Sequence, residues 1–181
     1  MIAELGLVAL WLAAALAALQ LLGGVMGVST GSGEPMAALV RPVAVVQALL
    51  CALAFGVLLW LFARTDLSVA LVAANSHSAK PMIYKITGAW GNHEGSMLLW
   101  VTVMALSGGL IALIERRLPE RTMMATLAAQ AFVAIGFYAF LLFASNPFER
   151  LAPAPAEGTG LNPLLQDIGL ALHPPTLYAG Y

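Results

Sequence analysis

Four stretches of this chain are apolar almost without interruption, at about 5–28, 42–63, 96–114 and 122–144. A helix needs roughly 20 apolar residues to cross a hydrocarbon layer of about 30 Å, and each stretch approaches or exceeds that length. The runs are continuous rather than alternating, which favours helices over the strands of a barrel. Each is bounded by charge, Gly or Pro. Arg41-Pro42 opens the second run, with the proline suited to a first helical turn. Glu115-Arg116-Arg117 closes the third, and Asn146-Pro147 ends the fourth because proline cannot continue the backbone ladder. The pattern predicts an all-α fold: a polytopic transmembrane helix bundle with four complete spans and the start of a fifth. Small residues cluster in Gly23-Gly24-Val25-Met26-Gly27 and in Ser107-Gly108-Gly109, where they let helix backbones approach closely in lipid.

The connections alternate in character. Residues 29–41 and 115–121 form short loops, whereas 64–95 and 145–169 are long and mixed. The short-loop side carries Arg41, Arg116, Arg117 and Arg121; the other side carries Arg64, Lys80, Lys85 and Arg150. The positive-inside rule is tied on raw count, and the tight triple-arginine loop tips the orientation toward an N-terminus outside. The first run is not read as a signal peptide. No Lys or Arg precedes it, Glu4 stands there instead, and it stays apolar beyond an h-region of roughly 7–15 residues, so it is expected to be retained as a span.

Composition narrows the function classes. Of 181 residues, 61% are hydrophobic and 9% charged, with a mean hydropathy of +0.89. A water-solvated domain carries about 25% charged residues, so the expected partner of this surface is a lipid bilayer. The net charge of −1 offers no basic stripe for phosphates, and no nucleic acid partner is expected. The single cysteine, Cys51, lies in an apolar run and is expected to be a packing residue. No CxxC or CxxCH is present, which excludes covalent attachment of a c-type haem to this chain. Nor is there a nucleophile elbow, a phosphate loop or HExxH. His77, in Asn75-Ser-His-Ser, has no second ligand at metal spacing and is expected in a solvated loop.

Two stretches carry more polar groups than crossing a membrane requires. The first, Lys85-Ile-Thr-Gly-Ala-Trp-Gly-Asn-His-Glu-Gly-Ser96, leads into the third span. Asn92 is a candidate N-cap, and Glu94 near the helix start suits the macrodipole. A helix starting there places His93, Met97 and Trp100 on one face, at i, i+4 and i+7. That face could line a planar ligand; the competing interpretation is interfacial anchoring and capping. The second stretch runs from Asn162 to Tyr178. Asn162 as cap and Pro163 at the first position predict a short helix over about 163–172, with Leu164, Leu165, Ile168 and Leu172 on an apolar face lying in the interface. His173 precedes Pro174 and Pro175, which places it at a break between that helix and a fifth span. Imidazole at a membrane edge is a candidate iron ligand, with a hydrogen-bonded turn residue as the alternative.

The strings Tyr84-Lys-Ile-Thr-Gly-Ala-Trp-Gly-Asn-His-Glu-Gly-Ser-Met-Leu-Leu-Trp100 and Asn162-Pro-Leu-Leu-Gln-Asp-Ile-Gly-Leu-Ala-Leu-His-Pro-Pro175 resemble those of the CcmF/NrfE family, as do Ile2-Ala-Glu-Leu-Gly6 and the four-span layout. The family comprises haem lyase subunits of bacterial cytochrome c maturation, and the resemblance covers essentially the whole chain. It implies a multi-pass protein of the bacterial inner (cytoplasmic) membrane with its working face periplasmic. It implies transfer of haem from the haem chaperone CcmE and cooperation with CcmH-type subunits that present apocytochrome c for ligation. It also implies haem b as cofactor, held between two transmembrane histidines. The histidine of the family's HPP string is one of these ligands and falls on His173. Trp90 and His93 belong to a family string and are weaker cofactor-binding candidates.

The family is several times longer. Its Trp-rich periplasmic segment (the WWD signature), the second haem ligand and two flanking histidines lie downstream. The expectation is an N-terminal transmembrane part that supplies one ligand of a pair and is inactive as a ligase alone. Two rival readings are a haem-b electron carrier without ligase activity and a membrane transporter whose polar helix ends at 92–96 and 173–174 bind substrate.

Overall fold

The computed structural model describes residues 1–30 and 35–180. The glycine-rich centre of the first short loop and Tyr181 lie outside the described residues. In chain order the helices are α1 (Ile2–Thr30), α2 (Pro35–Ala38), α3 (Val40–Arg64), α4 (Ala70–Asn75), α5 (Met82–Thr87), α6 (His93–Ile114) and α7 (Glu120–Phe143). A 3₁₀ turn (Pro163–Gln166) then precedes α8 (Ile168–Gly180). Among the described residues no strand forms; Val69 and Arg150 make only an isolated bridge.

Helices α1, α3, α6 and α7 are long and apolar enough to cross a membrane. Helices α1 and α3 run past both ends of the stretches that hydropathy alone marked out, and α6 and α7 begin before theirs, because capping and the carbonyl ladder extend a helix beyond its apolar centre. Pro42 sits in the first turn of α3, where its missing N–H costs nothing. At the other end Thr65 adopts the left-handed conformation (φ 54°), and the N–H groups of Thr65 and Asp66 close onto the carbonyls of Phe62 and Leu61.

The four long helices form a ring: α1 packs on α3 and α7, α3 on α6, and α6 on α7. Gly24 shows why small residues cluster in α1. A Cβ there would lie 2.7 Å from the Cβ of Ala128 on α7, closer than packed carbons approach. Large side chains such as Leu49, Phe132 and Phe143 point outward, as expected of a multi-pass membrane protein.

The two sides of the bundle are distinct. On one, Arg150 pairs with Glu4 (Nε to Oε1, 2.9 Å), and the Ala70 N–H donates to the Glu149 carbonyl. This joins both long segments to the start of α1. On the other, Arg41 Nη1 donates to the carbonyls of Ala112 and Glu115 at 3.1 Å each, capping the end of α6.

A polar seam crosses the interior. Gln20 donates to the Leu127 carbonyl (2.8 Å) and to Gln130 Oε1 (2.7 Å), tying α1 to α7. Gln47 donates to Tyr138 Oη (3.0 Å), and Cys51 Sγ lies 2.7 Å from the same oxygen. Cys51 is fully buried, as a packing residue would be, and it also joins α3 to α7 by a polar contact.

One expectation needs correction. Residues 163–172 do not form one helix ending at a break beside His173. The 3₁₀ turn stops at Gln166, the chain breaks at Asp167 (φ −95°, ψ 135°), and α8 then runs through His173, Pro174 and Pro175. Asp167 wins as the boundary because its side chain caps the new helix, accepting from the Leu170 N–H at 3.1 Å.

Candidate functional site

The turn between α5 and α6 is built from backbone bonds that its small residues permit. The N–H groups of Gly91 and Trp90 return to the Thr87 carbonyl. Asn92 is the N-cap of α6: its Oδ1 accepts from the Gly95 N–H (2.7 Å), while its Nδ2 donates to the Gly88 carbonyl (2.7 Å). The backbone of Gly95 presses on this turn so closely that a Cβ would stand 1.6 Å from the Ala89 oxygen. Gly-Asn-His-Glu-Gly is thus a fixed corner, with Trp90 carried on its rim.

Helix α8 crosses that corner. Prolines inside a helix remove the N–H groups that would serve the carbonyls four residues back. Pro174 and Pro175 therefore leave the carbonyls of Leu170 and Ala171 without a helical donor. Trp90 Nε1 donates to the Ala171 carbonyl at 2.7 Å. The indole is itself stacked on Phe55 of α3, centroids 6.4 Å apart and planes inclined by 30°. Here the two polar strings of the sequence meet.

Between the corner and α8 lies an open cleft of about 320 Å³, lined among others by Trp90, Asn92, His93, Leu165, Pro174 and Tyr178. Thr87 also lines it, and its hydroxyl is buried without a hydrogen-bond partner among the described residues. His93 is exposed; its ring meets Phe140 edge-on at 5.2 Å, and Nδ1 lies 3.2 Å from Ser145 Oγ. Trp100, two turns on, packs against Phe137 at 4.4 Å and near Tyr178 at 6.1 Å. The His93–Trp100 face is therefore largely occupied by α7 and α8.

His173 stands apart. It is two residues from Ala171, hence about 200° around the helix, and it is exposed on the face turned away from the cleft. Its imidazole makes no hydrogen bond among the described residues; only its carbonyl is engaged, accepting from Thr176 Oγ at 2.9 Å. Its neighbours on that face, one turn before and after, are Gly169, Leu170, Thr176 and Leu177, with both leucines exposed. The donor set fits a haem: a nitrogen ligand with no hydrogen bond to either ring nitrogen among the described residues, on an exposed apolar helix face. The structure brings Trp90 and His93 together at the cleft, and places His173 outside it. Among the described residues no three His, Cys, Asp or Glu side chains converge as a metal site.

The same side of the bundle carries its perturbed charges. Lys80 is pushed down to about 8, by burial and then by the nearby Lys85. Glu157 is lowered to about 2, chiefly by the Ser78 hydroxyl, with the Gly158 and Ser78 amides assisting. His77 is half-buried rather than fully solvated: its Nδ1 accepts from the Ala79 N–H, and its Nε2 lies 3.9 Å from Glu157.

Sequence reasoning missed Tyr178 and the Ala171 carbonyl. The signal for the carbonyl was present, since two consecutive prolines in a helix require outside donors for the residues four back. The same two prolines also read as a helix break, and that reading hides the stranded carbonyls.

Comparison with known proteins gives a consistent picture. The model of a family described as "Cytochrome C assembly protein" matches residues 90–181. Over its full length the chain is 52% identical to the cytochrome c-type biogenesis protein CycK of Rhizobium meliloti (strain 1021), covering 27% of that protein. It is 47% identical to the cytochrome c-type biogenesis protein CcmF of Pseudomonas aeruginosa, again over all of this chain and 28% of the relative. A solved structure, the cytochrome c heme lyase CcmF, superposes with a TM-score of 0.84 at 25% identity, over 98% of this chain and 28% of its own. The chain thus spans little more than a quarter of the length of these relatives.

Proposed function

Since the chain belongs to the cytochrome c assembly protein family, we propose that it is the amino-terminal part of a membrane haem lyase subunit, handling haem for ligation to apocytochrome c. The observation that carries the reading is the placement of His173. The family match covers it, and its imidazole stands free on the outer face of α8 rather than serving as a turn or cap residue. In this reading His173 is one axial ligand of a haem b, and the second ligand comes from the remainder of the longer protein. When bound, that haem supplies one-electron redox chemistry. The chain's own residues orient the ligand, exclude water and hold the helices in register.

The setting is a bacterial inner membrane with the long segments, the corner at Trp90 and His173 on the periplasmic side. There the haem chaperone CcmE delivers haem and CcmH-type subunits present the apocytochrome. Three features support this orientation and setting: the triple-arginine loop on the opposite side, the joined long segments, and the family. Trp90 and His93 contribute as walls of the cleft.

The test is maturation in cells lacking their own family member. Full-length protein is expected to restore haem-stained, covalently loaded c-type cytochromes, and His173→Ala to abolish the signal at equal protein level. Normal loading by the alanine variant would remove His173 from the reaction.

A further inference from the structure

We propose that the middle of the bundle binds one fixed water molecule, held between the side-chain amides of Gln20 on α1 and Gln130 on α7. The site is independent of how the chain handles haem. Gln20 stands ten residues before Thr30, the end of α1, and Gln130 ten residues after Glu120, the start of α7. At the rise of an α-helix, both lie about 15 Å into the bundle from the short-loop side. Lipid tails offer neither donor nor acceptor at that depth. Each polar atom there must find its partner in the protein or in a bound water.

Hydrogen-bond accounting then leaves two atoms over. An amide carries two N–H donors on its nitrogen and two lone pairs on its oxygen. Gln20 Nε2 spends both of its N–H groups, one on the Leu127 carbonyl (2.8 Å) and one on Gln130 Oε1 (2.7 Å). These bonds settle which end of each amide is which. A backbone carbonyl only accepts, so the nitrogen of Gln20 faces Leu127, and the atom of Gln130 that receives the second N–H is its oxygen. One acceptor, Gln20 Oε1, and one donor, Gln130 Nε2, remain, both buried and both without a partner among the described residues. Turning either amide over would set like groups against each other.

Two amides can close on each other as a ring of two N–H···O bonds. Here one bond is made and the other stands open. Amide bond lengths and the 2.7 Å bond keep the two leftover atoms within roughly 7 Å of each other. A water that accepts from Gln130 Nε2 and donates to Gln20 Oε1 completes the ring. The helices cannot complete it by moving closer. Gly24 of α1 already approaches α7 so nearly that a Cβ there would lie 2.7 Å from the Ala128 Cβ. The backbone of α6 lies against the Gln130 amide at Gly108, where a Cβ would stand 2.8 Å from Oε1.

The hydrated pair also decides which faces of α1 and α7 meet. Both helices are apolar nearly all round, so apolar packing alone leaves that choice open. Turning α7 by one residue, about 100°, would carry the Gln130 amide off Gln20 and strand both amides in an apolar interior.

The experiment uses full-length protein in lipid nanodiscs, imaged by cryo-electron microscopy at a resolution that shows ordered water. One density peak is expected within hydrogen-bond distance of both Gln20 Oε1 and Gln130 Nε2. A map in which the amides bond directly at both ends, or in which no peak lies between them, overturns the proposal. A second arm compares Gln20→Met, Gln130→Met and the double variant in detergent–denaturant titrations. Methionine keeps the volume and removes the amide. Each single change strands the other amide and is expected to lower the unfolding stability constant by about tenfold. The double variant strands neither and should return to within about threefold of the wild type. Single variants that match the wild type, or a double variant whose loss is the product of the two single losses, contradict the proposal. If the single variants fail to accumulate, accumulation of the double variant supports it and failure of the double variant counts against it.

Discussion

Glu157 and Ser78 are 79 positions apart, yet their side chains meet where the two long segments join, with the Ser78 amide also donating to the carboxylate at 3.0 Å. These bonds hold the Glu157 carboxyl down at about 2, well below its ordinary 4.5. A depressed carboxylate stabilises the fold fully above its unfolded pKa, and that contribution fades as pH falls through the folded value. The tie between segments should therefore be unchanged from neutrality down to about pH 4.5 and released on approaching pH 2. Hydrogen exchange at 157–160 would show it: protection constant above pH 5 and lost near pH 2, with Glu157→Gln indifferent to pH across that range. Single residues were also where the sequence was hardest to read. Asn92 was legible as a cap because its partner, Gly95, is three residues away. Cys51 was legible only as a buried side chain, because its polar partner Tyr138 lies 87 positions on. The sequence around His77 predicts a solvated loop because its partner Glu157 is as remote. Local chemistry is written locally; long-range polar pairs are not.

Among the elements, the long helices follow directly from uninterrupted apolar runs, and their ends from proline and charge. Helix α8 did not. Three signals competed there: a cap-and-proline start at 162–163, a second acidic cap at Asp167, and the prolines after His173. Asp167 won, since its carboxylate closes the first turn of a new helix and Trp90 serves one carbonyl that the prolines strand. The α5–α6 corner is the element on which this depends, and its tolerance is small. Gly95→Ala would bring a methyl group to 1.6 Å from the Ala89 oxygen. The corner must open to admit it, so the Asn92 cap and the Trp90 bond are lost together. The expected result is a loss of about 2 kcal/mol or more in unfolding free energy in detergent–denaturant titrations. The nearby Gly91→Ala, which meets mainly the ends of Leu161 and Leu165, should cost far less.

At the scale of the whole molecule, the number of spans and their alternation were legible, since each depends on one segment at a time. The ring order was not, because which helix touches which is decided by surfaces far apart in sequence, such as Gly24 on Ala128. Sidedness was half legible. Charge counting left a tie, and the structure adds that both long segments and the start of α1 share one side through Arg150, Glu4 and Glu149. The candidate site inherits that asymmetry: a fixed corner and cleft on the inside of α8, and a free imidazole on its outside. The chain covers 27–28% of the CycK and CcmF relatives, so the free imidazole is proposed as half of a haem site rather than a whole one. The most direct test of that claim is chemical rescue. Full-length His173→Gly, which leaves a space the size of the missing ring, should lose the b-type Soret band and recover it when imidazole is added. A His173→Gly protein that keeps its haem spectrum without imidazole would contradict the account.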